Sequence, residues 1–364
     1  MLLLQAVRRN CSRGHVGSVR RLLHSSSPLK SSFGMAFDID GVLVRGQEVL
    51  PGARESLKAL EDARVPFVFV TNGGGCTEED KALELTRKLG VRVHRSMVVL
   101  SHSPMRCLAK EYSRKRVMVL GSSAKQIAEE DLGLRDTVTP AEFACEWPGL
   151  FHFTGDRYYI HRDFPNRLAE GERSRPVSAV MVLHDPLDWA LEAQVVVDVL
   201  RGGDPPGSGG TPQTPMYISN PDFVFAAMYQ EPRFAAGAFA DTVRMLFAKR
   251  FGTADPEIEV FGKPARSTFD YARRLLEERV AEIGAETPAS EIETVYMVGD
   301  NPSGDIRGSN AAGAPWVSNL VRTGVFQDPT GRGNDAKDPA HFVHDDVRDC
   351  VGFAIAREAV GGAK

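Results

Sequence analysis

Residues Phe33–Gly46 read FGMAFDIDGVLVRG. An apolar run ends on two aspartates one residue apart, Asp38 and Asp40, and Gly41 follows. A near-continuous apolar run marks a strand buried on both faces of a parallel sheet. In an extended segment a spacing of two sets both carboxylates on one side, with Ile39 opposite. Gly41 then allows the chain to turn sharply. Buried carboxylates are costly unless they are paired or bind a metal, so the pair implies a use. In an open α/β sheet ligands bind at the carboxyl ends of the strands, which is where this pair falls.

The same grammar recurs along the chain. PFVFVTN leads through Gly73-Gly74-Gly75 into EEDKALELTRKLG, and RVMVLG leads into SAKQIAEEDLG. SAVMVL leads into DWALEAQVVVDVLRGG, and TVYMVGD into DIRGSNAAG. Apolar strands alternating with helices predict an α/β fold with a doubly wound parallel sheet. GGDPPGSGGTPQTP (Gly202–Pro215) and QDPTGRGNDAKDPA read as polar surface loops.

Polar groups close several of these strands. Thr71 and Asn72 end PFVFVTN, Lys263 sits in FGKP before a helix, and Asp300 and Asp305 lie in GDNPSGDIRG. Carboxylates converging on one crevice repel each other, and a hard cation relieves the repulsion. Mg2+ is typically held by one or two carboxylates plus substrate oxygens. A lysine and hydroxyl or amide donors beside it suit a substrate of high negative charge, a phosphate group. A carboxylate can then act as nucleophile, dividing one hard step into two.

These residues resemble the four motifs of the haloacid dehalogenase (HAD) superfamily: DIDG, TN, K and GDNPSGD, from Asp38 to Asp305. DIDGVL followed by LPGA, the late GKP and GDNPSGDIRGSNAAG are similar to subfamily IIA, which includes 4-nitrophenylphosphatase-like enzymes. Within it, FDIDGVLVRG, VTN, LSHSPM, GKP and YMVGDNP resemble the cat-eye-syndrome critical region group of mitochondrial HAD-like hydrolases. The resemblance implies a HAD-like core with an inserted α/β cap of the C2 type. It implies Asp38 as nucleophile and Asp40 as the acid, then the base. Thr71 would hydrogen-bond the phosphoryl group, with Asn72 and Gly73 beside it, and Lys263 would stabilise the charge. Mg2+ would be held by Asp38, the backbone carbonyl of Asp40 and Asp300, with Asp305 ligating directly or through water. Asp40 favours phosphate-ester hydrolysis over dehalogenation, because an alkoxide needs a proton to leave and a halide does not.

Two positions depart from the family pattern. Glycines 73–75 follow Asn72 where Thr-Asn-Asn is common, and Gly304 stands where threonine often precedes the second aspartate of the last motif. The nearly 190 residues between Asn72 and Lys263 exceed one crossover. The expected division is a leader over 1–32, core over 33–103, cap over 104–228 and core again over 229–364. YISNPD is expected to bring the chain back to the core, with Asn220 facing the core as a substrate contact, against the plainer reading of a turn residue, since Asn-Pro favours turn initiation. Arg157, Tyr158, His161 and Arg162 are candidate cap contacts, against the plainer reading of a solvated loop. His102 in LSHSPM is a candidate functional residue, against the plainer reading that it caps a helix or packs.

The first 34 residues carry six Arg or Lys and no acid, are rich in Ser, and place Leu2, Leu3, Ala6 and Val7 opposite Arg8 and Arg9 on a helix. That is the composition of a mitochondrial transit peptide. Removing them takes the formal charge from −4 to about −10, which argues against non-specific nucleic-acid binding. No apolar run approaches the roughly 18 residues of a membrane span. The five cysteines include no CxxC pair, so free thiols in a reducing compartment such as the matrix are expected.

The leading expectation is a Mg2+-dependent mitochondrial phosphatase acting on a small phosphorylated substrate through an aspartyl-phosphate. One alternative is a phosphatase or accessory protein of glycerophospholipid synthesis, meeting lipid peripherally. Another is a non-catalytic binding or regulatory module on the same scaffold, since fold and motif do not establish turnover. The resemblance also allows a homodimer.

Overall fold

The computed structural model describes residues 33–361 except 148, 152–173, 211–213, 226–228, 230, 253–255, 284–291, 329 and 331–332. The expected leader and the cap candidates Arg157, Tyr158, His161 and Arg162 lie outside the described residues. The chain divides into two compact units. The first comprises residues up to 68, 88–91 and 275 onward; the second comprises 69–87 and 92–274.

The first unit is built on four parallel strands. They are β1 (Phe33–Phe37), β9 (Thr294–Gly299), β10 (Trp316–Val321) and β11 (Phe342–His344), in the order β11-β10-β9-β1. Every residue of β1 is buried, and so are five of the six in β9. This is why neither run alternates with polar residues: both faces of the strands are covered. Phe37 lies opposite Val298, so the chain leaves β1 and β9 at the same edge, one residue before Asp38 and Asp300.

Strand β2 (Phe67–Val70) begins in the first unit and ends in the second, where Phe69 and Val70 pair with β3 (Val98–Val99). The rest of the second unit rests on a five-stranded parallel sheet. Its strands are β4 (Arg116–Leu120), β5 (Asp136–Val138), β6 (Ala179–Val182), β7 (Met216–Ile218) and β8 (Ile258–Val260), in the order β8-β7-β6-β4-β5. Period-two alternation divides its side chains between two cores. Met118, Leu120, Val180, Val182, Met216 and Ile218 pack with Val196, Phe239, Val243 and Phe247 of the helices Trp189–Arg201 and Ala236–Phe251. Val117, Val119, Met181 and Tyr217 face the other way, onto Ile127 and Ala128 of the helix Ala124–Glu130.

The five apolar runs singled out in the sequence are all strands. The YISNPD segment is not simply a return path, because Tyr217 and Ile218 belong to β7 in this sheet. The sheet also continues past residue 228, the expected end of the cap, to Val260 at its edge. Three-residue edge strands such as β5, β8 and β11 give too little apolar signal to stand out from flanking loops.

Candidate active site

In the first unit, Asp38, Asp300 and Asp305 converge. All three are buried, and one carboxylate oxygen of each lies within 4.8 Å of the others. Asp38 is placed by the sheet, its N–H donating to Val298 O at 2.8 Å. Asp300 is fixed by the loop after β10: its Oδ2 accepts from Val325 N at 2.6 Å and its carbonyl from Phe326 N at 2.9 Å. That loop is tied back by Thr323 Oγ1, which donates to Gly41 O at 2.5 Å, and by Arg45, which donates to Thr323 O. Gly41 has φ +84°, and a Cβ there would stand 2.3 Å from Asp300 Oδ2. Glycine is needed twice over, for the left-handed turn and for room beside the carboxylate. Asp305 follows from a tight π-type turn, Pro302–Ile306, capped by Asn301, whose Oδ1 accepts from Ser303 N and Gly304 N. Asp305 Oδ2 in turn accepts from Asn301 N at 3.1 Å.

Beyond Asp38 the chain leaves the strand before it reaches Asp40. Strand β1 ends at Phe37 and the chain bends at Ile39, whose carbonyl accepts from Leu43 N and Val44 N. Strand alternation therefore does not reach Asp40. Asp38 is buried, Asp40 is exposed, and Ile39 is buried between them. Among the described residues, the cluster able to hold a cation contains Asp38, Asp300 and Asp305 and not the Asp40 side chain.

A second group forms in the other unit. Thr71 and Lys263 are buried. Asn72 reads the Lys263 peptide from both sides: its Oδ1 accepts from Lys263 N at 2.7 Å and its Nδ2 donates to Lys263 O at 2.8 Å. The same Nδ2 reaches Asp222 Oδ2 at 3.3 Å. Lys263 Nζ donates to Val70 O at 2.9 Å, bringing the ammonium beside the end of β2. Thr71 Oγ1 accepts from Gly73 N at 2.9 Å, closing a small turn. Asn220 does form the turn expected of Asn-Pro, its Oδ1 accepting from Asp222 N at 2.9 Å. Through Asp222 that turn reaches Asn72, and so the Thr71–Gly73, Asn220 and Lys263 segments are joined within one unit.

His102 packs and does not cap. It heads the short 3-10 turn Ser103–Leu108 without a capping bond, is fully buried, and its Nε2 lies 2.9 Å from Asp131 Oδ2. Asp131 also accepts from Glu78 N and Arg95, and Glu78 accepts from Arg95 and Arg106. Sequence reasoning missed this network, as it missed Asp222, Asn301, Gly324 and Val325. Their partners are distant in the chain or are backbone atoms, and no local spacing marks them. Cys76, Cys107, Cys145 and Cys350 are free thiols. No helix among the described residues is long and apolar enough to cross a membrane.

Residues 35–135 match the haloacid dehalogenase-like hydrolase family, and residues 260–350 match a HAD-hydrolase-like family. The chain is 31% identical over 351 residues to a mitochondrial hydrolase of Saccharomyces cerevisiae, covering 89% of this chain and 96% of that protein. It is 34% identical over 336 residues to a cardiolipin synthase (CMP-forming)/mitochondrial hydrolase fusion protein of Schizosaccharomyces pombe, covering 88% of this chain and 53% of the fusion. A glycerol phosphate phosphatase of Mycobacterium tuberculosis, solved with magnesium, shares the fold at 22% identity and a TM-score of 0.58, over 88% of this chain and 78% of that one.

Proposed function

Since the chain belongs to the haloacid dehalogenase-like hydrolases, we propose that it is a Mg2+-dependent phosphatase that hydrolyses the monoester of a small phosphorylated molecule in mitochondria. The observation that carries this reading is the cluster of Asp38, Asp300 and Asp305 at one edge of a parallel sheet. Three buried carboxylates whose oxygens lie within 4.8 Å of one another make a hard, oxygen-only donor set, which fits Mg2+. Asp38 and Asp300, with Asp305 directly or through water, would hold the ion together with the backbone carbonyl of Asp40. When bound, Mg2+ offsets their mutual repulsion and draws charge from the phosphoryl oxygens.

The chain's own residues have distinct roles in this proposal. A carboxylate oxygen of Asp38 attacks phosphorus, and the ester P–O bond breaks. Asp40, which is exposed, gives its proton to the departing alkoxide. That leaves an aspartyl-phosphate on Asp38. Asp40 then takes a proton from water, the water oxygen attacks phosphorus, and inorganic phosphate leaves as the Asp38 carboxylate is restored. Thr71 donates to the phosphoryl group with Gly73 beside it, Lys263 offsets its charge, and Asn72 sets the Lys263 backbone. Asn220 acts through Asp222 on the same segment.

The N-terminal composition and the names of the two relatives support mitochondrial targeting, with residues 1–32 as leader and the matrix as destination. Residues 104–228 form the greater part of a substrate-selecting cap. A second reading, a phosphorylated glycerophospholipid or its precursor as substrate, draws on the fusion of one relative with a cardiolipin synthase.

The test is phosphate release by the full chain from a panel of phosphorylated metabolites and lipid headgroups, with and without Mg2+, beside Asp38→Asn. Mg2+-dependent release that disappears in the variant is the expected result. Absence of release from every compound, with the fold intact and Mg2+ bound, would favour the non-catalytic module instead.

A further inference from the structure

His184 lies two residues beyond β6, in the same unit as Thr71 and Lys263. Its place is prepared from two directions. Its backbone presses on Gly121, where a Cβ would stand 2.4 Å from the His184 carbonyl oxygen. Leu183 N, just before it, donates to Leu120 O at 3.0 Å. Its imidazole covers the loop after Asn72. A Cβ on Gly75 would stand 2.9 Å from Cε1, 3.0 Å from Nε2 and 3.1 Å from Nδ1. Three ring atoms at nearly equal distance from that Cβ position set the flat face of the ring over it. A Cβ on Gly74 would meet Cδ2 at 3.3 Å and Ser101 Oγ at 3.1 Å.

Two of the three glycines after Asn72 therefore have a local cause: Gly74 and Gly75 make way for this ring and for Ser101. The ring is held by contact rather than by hydrogen bonds. Nδ1 is buried and makes none among the described residues, and the nearest carboxylate oxygen, on Asp185, is 3.8 Å from Nε2. Burial pushes the imidazole pKa down, Asp185 opposes the shift and His102 adds to it, so the ring is neutral at pH 7. The loop is pinned on its other side by Ser101 N, which donates to Gly73 O at 3.4 Å.

We propose that His184 is a positioning residue for the phosphate-binding loop: its flat imidazole fixes the path of Gly74 and Gly75 and thereby holds Thr71 and Gly73 ready for the phosphoryl group. The role needs a flat ring, not a nitrogen. Preorganised donors act most strongly on charge that develops in the transition state, so the effect falls on kcat and kcat/KM together. This rests on the phosphatase reading above, and the test separates the two.

His184→Ala, His184→Gln and His184→Phe are compared in the full chain by steady-state kinetics and by amide hydrogen exchange over residues 71–76. Alanine is expected to lower kcat about 10- to 100-fold with KM little changed, and to speed exchange in the loop. Glutamine keeps polarity and loses the flat face, so it should behave as alanine does and replaces it if alanine fails to fold. Phenylalanine should retain kcat within a few-fold and keep the loop protected. Loop protection in the alanine or glutamine variant equal to wild type would overturn the proposal, as would phenylalanine behaving like alanine. A wild-type protein that releases no phosphate would instead sink the phosphatase reading, and the exchange measurement would still decide the role of His184.

Discussion

Gly324→Ala adds one methyl group to the loop that holds Asp300. Its backbone is outside the left-handed region, so alanine brings no conformational strain. The new Cβ would stand 1.8 Å from Oδ2, 2.5 Å from Cγ and 2.8 Å from Cβ of Asp300. An ordinary contact begins near 3.4 Å, so the carboxylate or the loop must retreat by roughly 1.6 Å. The loop is pinned by the bonds from Thr323 to Gly41 O, from Phe326 N to Asp300 O and from Gln327 Nε2 to Gly324 O. The carboxylate therefore yields, losing its bond from Val325 N. Metal–ligand distances tolerate only about 0.2 Å, and disturbing the support of one ligand typically costs about 10- to 100-fold in metal affinity. That corresponds to about 1.4–2.7 kcal/mol. Calorimetric titration of the full chain with Mg2+ reads it directly. Gly352→Ala is the control, because nothing lies within 4 Å of its added Cβ and it sits within the helix Val347–Gly361. It should leave Mg2+ binding unchanged and raise stability by up to about 1 kcal/mol. A folded Gly324→Ala protein that binds Mg2+ within two-fold of wild type would refute Asp300 as a ligand.

Two further predictions concern stability. Glu192 is raised by burial from 4.5 to about 7, although its Oε2 accepts from Asp188 N at 2.7 Å. Between these values the folded chain keeps a proton that the unfolded chain has released, so stability falls as pH rises from about 4.5 to about 7. Glu192→Gln should change little at pH 4 and stabilise by up to about 3 kcal/mol at pH 8; urea unfolding with the same pH slope in both proteins would contradict this. Asp131→Ala strips the buried acceptor shared by Glu78 N, Arg95 and His102, at a cost of about 3–5 kcal/mol. Urea midpoints for this variant that match wild type would show that the network contributes no stability.

The sequence by itself determined the parallel α/β class and the four motif positions. Both are local signals: fully buried strands read as unbroken apolar runs, and strand-end carboxylates stand next to them, as at Phe33–Asp38 and Thr294–Asp300. It also marked Asn72 and Lys263 as functional, but not that one amide grips the other's peptide across 191 positions of chain. Only tertiary structure decided that Asp38 is buried while Asp40 is exposed, because the strand ends at Phe37 and the chain bends at Ile39 before Asp40. Only tertiary structure explained Gly74 and Gly75, whose missing side chains answer to His184 more than a hundred residues later. Periodicity and spacing report on a residue's own segment. Steric exclusion and hydrogen bonding between segments depend on which backbones the fold brings within a few ångströms, and a single sequence does not encode those pairings in any local pattern.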